Sequence, residues 1–193
     1  MYNFSQIIKS VVILQEEKLF IETLINPKTQ NVAFKQLVQQ YQKPLYFHIR
    51  NIVLNHDDTD DVLQNTFIKV FSNIKNFKGE SKLYSWIYRI ATNESLTFIE
   101  QRAKKQGVSN EEVQQKAIMN LESDVYFEGN EIQLKLQKAI AILPEKQQLV
   151  FKMKYFEEIK YENMSEILDT SVGALKASYH HAVKKIEEYL KTN

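Results

Sequence analysis

Apolar side chains recur at three- and four-residue intervals along nearly the whole chain, and very little interrupts them. The 193 residues include only 4 Gly and 3 Pro. Gln, Glu, Lys, Leu and Ile are abundant, and these residues lose little on entering a helix. The periodicity predicts an N-terminal helix over about residues 4–25, closed by Asn26-Pro27. A second run follows from Val32 to Leu54 through Phe34, Leu37, Val38, Tyr41, Leu45, Ile49, Ile52 and Val53. Pro44 lies inside it and is expected to kink or split it. A third helix opens at His56, with Asp57 or Asp58 as cap and Val62, Leu63, Thr66, Phe67, Val70, Phe71 and Ile74 as its stripe. Beyond Gly79 a fourth is expected from about Lys82 to Lys105. No strand pattern of convincing length occurs, so the fold class is all-α.

The stretch 107–129 differs. It carries Glu111, Glu112, Glu122, Asp124 and Glu128 against a single Lys116, and reads as a flexible acidic linker with room for a weak helix. It divides the chain into an N-terminal helical extension (1–30), a helical domain (31–106) and a second helical domain (130–193). In the latter, Ile132, Leu136, Ala139, Ile140 and Leu143 restore the period and Pro144 opens a new helix.

Composition removes several function classes. With no Cys, disulfides and thiolate metal sites are excluded, and a reducing cytoplasm suits the chain. Lys and Arg number 25 and Asp and Glu 24, a net charge of +1, so any nucleic-acid contact must come from segregated basic patches. No segment reaches the roughly 18 apolar residues that span a bilayer. The apolar run from Ile7 to Leu14 is broken by Lys9 and meets Glu16 and Glu17, so it reads as an amphipathic helix and not a signal peptide.

The last fifty residues hold a short helix (Tyr161 to Leu168), the polar turn Asp169-Thr170-Ser171 and a longer helix (Val172 to Leu190), a helix-turn-helix pattern. Leu175, Tyr179, Ala182, Val183 and Ile186 can face inward on the second helix. Lys176, Ala177, Ser178, His180, His181 and Lys184 are left outside, a small, polar and basic face suited to base edges and phosphates. An ordinary helical hairpin would show the same spacing. Adjacent His180 and His181 point about 100° apart on a helix and do not make a metal site.

His56-Asp57-Asp58-Thr59-Asp60-Asp61 lacks the Gly and Glu of a calcium-binding loop and reads as an acidic helix start. Asp57, Asp61, Gln64 and Asn65 share a helix face that could dock a basic partner. From Asn76 to Lys105, aromatics (Phe77, Tyr84, Trp86, Tyr88, Phe98) interleave with bases (Lys78, Lys82, Arg89, Arg102, Lys104, Lys105), a mixture suited to single-stranded nucleic acid. Trp86, with Ile87 and Ile90, can equally be core.

DTDDVLQNTFIKVF (Asp58 to Phe71) resembles region 2.2 of the sigma factors of bacterial RNA polymerase. Phe77 to Lys105 resembles regions 2.3 and 2.4 of their extracytoplasmic-function (ECF) group, and Ile142 to Leu190 resembles region 4.2. The resemblance covers about 32–105 and 130–190. It implies promoter-specific initiation with core RNA polymerase, no catalysis, no cofactor, no metal, a cytoplasmic location and no membrane insertion. It further implies docking of Asp57, Asp58, Asp61, Gln64 and Asn65 on the β′ clamp coiled coil, with Asn65 where many members carry Glu. The -10 strand would meet Phe77, Lys78, Gly79, Glu80, Ser81, Lys82, Trp86, Tyr88, Arg89, Asn93 and Arg102, around a flipped base. The -35 duplex would meet Ser171, Gly173, Ala174, Lys176, Ala177, Ser178, His180, His181 and Lys184, with Ser178 and His181 where many members carry Arg. The β flap and an anti-sigma factor are further implied partners. A stand-alone helix-turn-helix regulator is the alternative; it leaves the Asp58–Lys105 block unexplained. A divalent-metal nuclease built on Asp57 to Asp61 is a weaker one.

Overall fold

The computed structural model describes residues 4–120 and 131–192, with side chains from residue 15 onward. Among these residues there are nine α-helices and no strand. Helix α1 (Phe4–Ile25) ends in a turn where the Asn26 side chain accepts from the Lys28 N–H at 3.0 Å. Helix α2 (Gln30–Val53) buries Ala33, Leu37, Leu45, His48, Ile49 and Ile52 on one face. It runs through Pro44 without splitting, contrary to expectation. Pro44 lies on the exposed side, where the carbonyl it leaves unpaired can turn to water.

Helix α3 (His56–Asn73) is capped by Asn55 and not by Asp57 or Asp58. The Asn55 side chain accepts from the Asp58 N–H at 2.9 Å. A 3₁₀ turn (Ile74–Asn76) and the loop through Gly79, at φ +71, lead into α4 (Leu83–Gln106). Gly107, at φ +65, closes that helix in a left-handed conformation that favours glycine.

The acidic stretch is not wholly a linker. Ser109 caps α5 (Asn110–Met119) by accepting from the Glu112 N–H at 3.2 Å, and Val113, Gln114 and Ile118 are buried. Its apolar residues at positions 113, 117 and 118 keep helical spacing, and the neighbouring modules cover them. The rest of the expected linker, 121–129, lies outside the described residues.

The C-terminal module comprises α6 (Glu131–Ala141), α7 (Glu145–Tyr155), α8 (Tyr161–Leu168) and α9 (Val172–Thr192). Gln148 joins α6 to α7 by donating to the carbonyls of Leu143 (2.9 Å) and Ala141 (3.3 Å). Ala139, Ile140, Leu143, Phe151, Ala182 and Ile186 form this module's own core.

The two modules share a second, larger core. Leu37, Ile49, Ile87 and Ala91 of the first belong to the same buried cluster as Leu149, Met153, Met164, Ile167 and Leu175 of the second. Helix α4 is central to it, packing against α2 and α3 on one side and α8 on the other.

Lys152 of α7 lies in this seam, 4% exposed, without an ion-pair or hydrogen-bond partner among the described residues. Ile52, Leu96, Gln114, Gln148 and Leu149 line its small cavity, and Glu145 is the one acidic group there. Burial pushes its amine down from 10.5 to about 8. Below pH 8 the folded chain therefore carries a buried, unpaired ammonium at full cost. Between about pH 8 and 10.5 the folded form is neutral while the unfolded form still binds a proton, so stability rises with pH. Lys152→Met should stabilise the fold at pH 7, by at most about 3 kcal/mol. The gap to the parent should narrow as the pH approaches 10. Urea denaturation of both proteins at pH 7 and 9.5 measures this; a gap independent of pH would show that Lys152 is not buried as a cation.

Candidate nucleic-acid interface

Three surfaces carry the residues singled out from the sequence. On α3, Asp57, Asp61, Gln64 and Asn65 are exposed, and Asp61, Gln64 and Asn65 fall on one stripe by their three- and four-residue spacing. Ile68, 55% exposed, and Phe71 extend it. Asp58 leaves this set. It is part-buried and its carboxylate pairs with the Arg102 guanidinium, joining α3 to α4. The same pair occupies Arg102, which the sequence reading assigned to the DNA strand.

The second surface is the Gly79 loop with α4. Lys78, Gly79, Glu80 and Lys82 are exposed and Ser81 is half-buried. Phe77 is buried instead of free, its ring centroid 5.2 Å from that of Trp86. Tyr88 is also buried, 4.9 Å from the His48 ring and 4.2 Å from Tyr84. Both aromatics bring large apolar areas to the core, and helical spacing alone could not separate them from Trp86, which keeps part of its ring at the surface. Burial raises the Tyr88 phenol well above its usual range and pushes that of Tyr84 up to about 12.

Trp86 and Asn93 line an open cleft with Lys69, Asn73 and Asn76, polar residues at the end of α3 and in the 3₁₀ turn. Sequence reasoning missed these three. Their spacing of four and then three residues was the available signal. Such a cleft combines a partly exposed ring, amide groups and an ammonium, the chemistry that an unpaired base and its phosphate need. Lys69 also pairs with Glu94 at 2.5 Å.

The third surface is α9. Ser171 accepts from the Ala174 N–H at 3.3 Å, capping the start of α9. Gly173, Ala174, Lys176, Ala177, His180, His181 and Lys184 are exposed and Ser178 is half-buried. Leu175, Ala182 and Ile186 are buried beneath them. The His180 and His181 rings are 5.9 Å apart and tilted by 59°. The Lys176 ammonium stands 5.8 Å from the centre of the Tyr161 ring. Small side chains flanked by bases let this face approach a groove closely.

A network joins the second surface to the C-terminal module. His48 is fully buried; its Nδ1 lies 2.9 Å from Glu157 Oε2 and its Nε2 2.8 Å from Thr92 Oγ1. Thr92 Oγ1 donates in turn to the Tyr88 carbonyl at 2.8 Å. Lys82 Nζ donates to Asn163 Oδ1 at 2.7 Å, and the Lys82 N–H to Glu166 Oε2 at 3.4 Å. The Arg89 guanidinium donates to the Glu166 carbonyl, through Nε at 3.1 Å. Glu17 of α1 accepts from the Leu83 N–H at 2.6 Å, satisfying one of the free donors at the start of α4.

The Sigma-70 region 2 family model matches residues 37–105 and the Sigma-70 region 4 model residues 133–186, together well over half the chain. The chain is 27% identical over 165 residues to the ECF RNA polymerase sigma-E factor of Haemophilus influenzae, covering 80% of this chain and 86% of the relative. It is 27% identical over 168 residues to the ECF RNA polymerase sigma factor SigW of Bacillus subtilis, covering 82% and 89%. The fold is similar to that of CnrH in complex with the cytosolic domain of CnrY, at a TM-score of 0.66 and 17% identity over 92% of this chain and 98% of that one. It also resembles the sigma factor RpoE in complex with the anti-sigma factor NepR from Bartonella quintana, at a TM-score of 0.61 and 19% identity over 83% and 98%. With both conserved regions present in one chain and in order, this protein belongs to the ECF group of the sigma-70 family and is a factor that directs transcription initiation.

Proposed function

We propose that this chain binds core RNA polymerase in the cytoplasm, brings it to a promoter and helps to open the DNA, leaving the synthesis of RNA to the polymerase. The observation that carries this reading is the presence, in one chain, of an exposed polar stripe on α3, a cleft combining a ring and amides beside α4, and a small basic face on α9. In this reading Asp57, Asp61, Gln64 and Asn65 face the β′ clamp coiled coil, with Ile68 as an apolar neighbour. Lys78, Gly79, Lys82, Trp86, Arg89 and Asn93 meet the separated -10 strand, and the exposed face of α9 meets the -35 duplex. Region 4 also rests on the β flap. An anti-sigma factor, of the kind bound in the Bartonella quintana complex, is the expected inhibitor.

The charge distribution supports this division. A net charge of +1 leaves little long-range pull toward DNA, so duplex affinity must come from α9 itself, and the polymerase contributes the rest. Among the described residues no helix is long and apolar enough to cross a membrane.

Run-off transcription from genomic fragments with core polymerase tests the proposal. Defined start sites should depend on the added protein, and none would appear if it were only a DNA-binding regulator. Replacing both Asp61 and Gln64 by Ala should weaken core binding by about tenfold, the weight of a good interface contact, without changing the melting temperature. Unchanged affinity would remove the α3 stripe from the docking surface. Lys176→Ala should weaken -35 duplex binding by roughly 1–3 kcal/mol and relax preference at one base pair if Lys176 reads a base. A change confined to the salt dependence would reduce Lys176 to a phosphate contact.

A further inference from the structure

Helix α1 precedes residue 37, where the region 2 family match begins. Its C-terminal half nevertheless reaches the Gly79 loop. Leu24 is buried in the main core, and Phe20 and Ile21 pack against it. The helix packs on α2 and on the 3₁₀ turn that leads into the loop. At the loop's other end stands the start of α4, which has no cap of its own. Lys82 occupies the N-cap position and its side chain makes no cap hydrogen bond, because an ammonium has no acceptor to offer. The first helical N–H, that of Leu83, donates instead to Glu17 Oε1 at 2.6 Å. A carboxylate there answers a free donor and suits the helix dipole, so α4 is capped by a residue 66 positions away. Glu17 is half-buried, and its charge also reaches Tyr41 of α2, whose phenol is raised by burial first and by Glu17 second. The carboxylate therefore sits where α1, α2 and α4 meet.

The loop 77–82 is thus braced by α1 at both ends, through the 3₁₀ turn at one and through Glu17 at the other. Between these points Lys78, Gly79 and Glu80 are exposed, with Gly79 at φ +71. The loop and the α1 residues Glu17, Lys18, Ile21 and Glu22 border a cavity of about 620 Å³. A loop that must order itself around an unpaired base loses affinity in doing so, and a loop already held in place does not.

We infer that Glu17 is a positioning residue for promoter opening: it caps α4 from α1 and so sets the Gly79 loop in the geometry that takes up the unpaired -10 base. This rests on the assignment of that loop to the -10 strand. Glu17 acts through the loop and not by touching DNA. Helix α1 thereby becomes part of the strand-reading apparatus although it lies outside the family match. The cap is formed by residues of α1 and α4 alone, so it depends on no residue of the C-terminal module.

Trp86 is the one tryptophan of the chain, and its ring lies 5.2 Å from that of Phe77 at the start of the loop. Acrylamide quenching of its fluorescence reports loop order in the free full-length protein. Opening is read as permanganate reactivity of unpaired thymines, with holoenzyme on a DNA fragment whose start site depends on this protein. Glu17→Ala should lower opening by about tenfold, the weight of a hydrogen bond to a charged group, and should make Trp86 easier to quench. Affinities for core polymerase and for -35 duplex should stay as in the parent. Glu17→Gln keeps an acceptor oxygen without the charge. It should lose only about threefold, since a neutral hydrogen bond is about half as strong, and it serves if the alanine variant melts early.

Opening at the parent level in Glu17→Ala would overturn the inference. Equal losses of opening, core binding and duplex binding would reduce Glu17 to a support of the fold and overturn it as well. So would a loss of opening with Trp86 quenching unchanged, because the loop would not be the route. Gly79→Ala strains the loop's left-handed position while its new methyl group meets nothing, so α1 is left untouched. If opening falls in Gly79→Ala and not in Glu17→Ala, the role of Glu17 alone fails. If opening is indifferent to Gly79→Ala, the assignment of the loop to the -10 strand fails, and the role of Glu17 with it.

Discussion

A buried imidazole must have both ring nitrogens answered, and His48 is answered from two different elements. Nδ1 meets Glu157, in the segment between α7 and α8, and Nε2 meets Thr92 on α4. Leaving either nitrogen unpaired in a fully buried site would cost on the order of 1–3 kcal/mol. The residue therefore fixes where α2, α4 and the start of α8 stand relative to one another. Helix α4 follows from that placement. It is packed on two sides, which is why Tyr88 and Thr92 are buried and why the donors of Lys82 and Arg89 turn toward α8.

This arrangement sets the two surfaces proposed for DNA in different surroundings. The face on α9 is small, basic and open; Ala182 and Ile186 beneath it belong to the C-terminal module's own core and Leu175 to the shared one. The face on α4 is shared: Lys82 and Arg89, proposed to meet an unpaired strand, also serve the seam between modules. A near-neutral chain can afford little non-specific attraction to DNA, so both faces must work through local contacts.

Much of this was legible in the sequence where local rules decide. The helix-turn-helix bounds follow from short-range chemistry, and the two family regions were carried by their motifs. Asn55 was overlooked as the α3 cap because two aspartates stood beside it, yet only its side chain reaches the Asp58 N–H. Pro44 was read as a break, but on an exposed helix face its missing donor is tolerable. Helix α5 was read as at most a weak helix in a linker, since its burial depends on neighbours and not on its own apolar stripe. The pairing of Asp58 with Arg102 and the burial of Phe77 and Tyr88 are tertiary facts with no signature in spacing. The seam between the modules is of the same kind: His48 and Glu157 are separated by more than a hundred positions, and neither stands out in the sequence.

The central claim is that the two modules act together on one promoter. Its most direct measurement is transcription from a start site that depends on this protein, after inserting about five base pairs, half a helical turn, between the upstream and downstream elements. Initiation should be lost, because α9 and α4 are parts of one chain and cannot both reach faces of the duplex turned apart. Initiation that persists at the original site and strength would contradict the claim, since one module would then be sufficient.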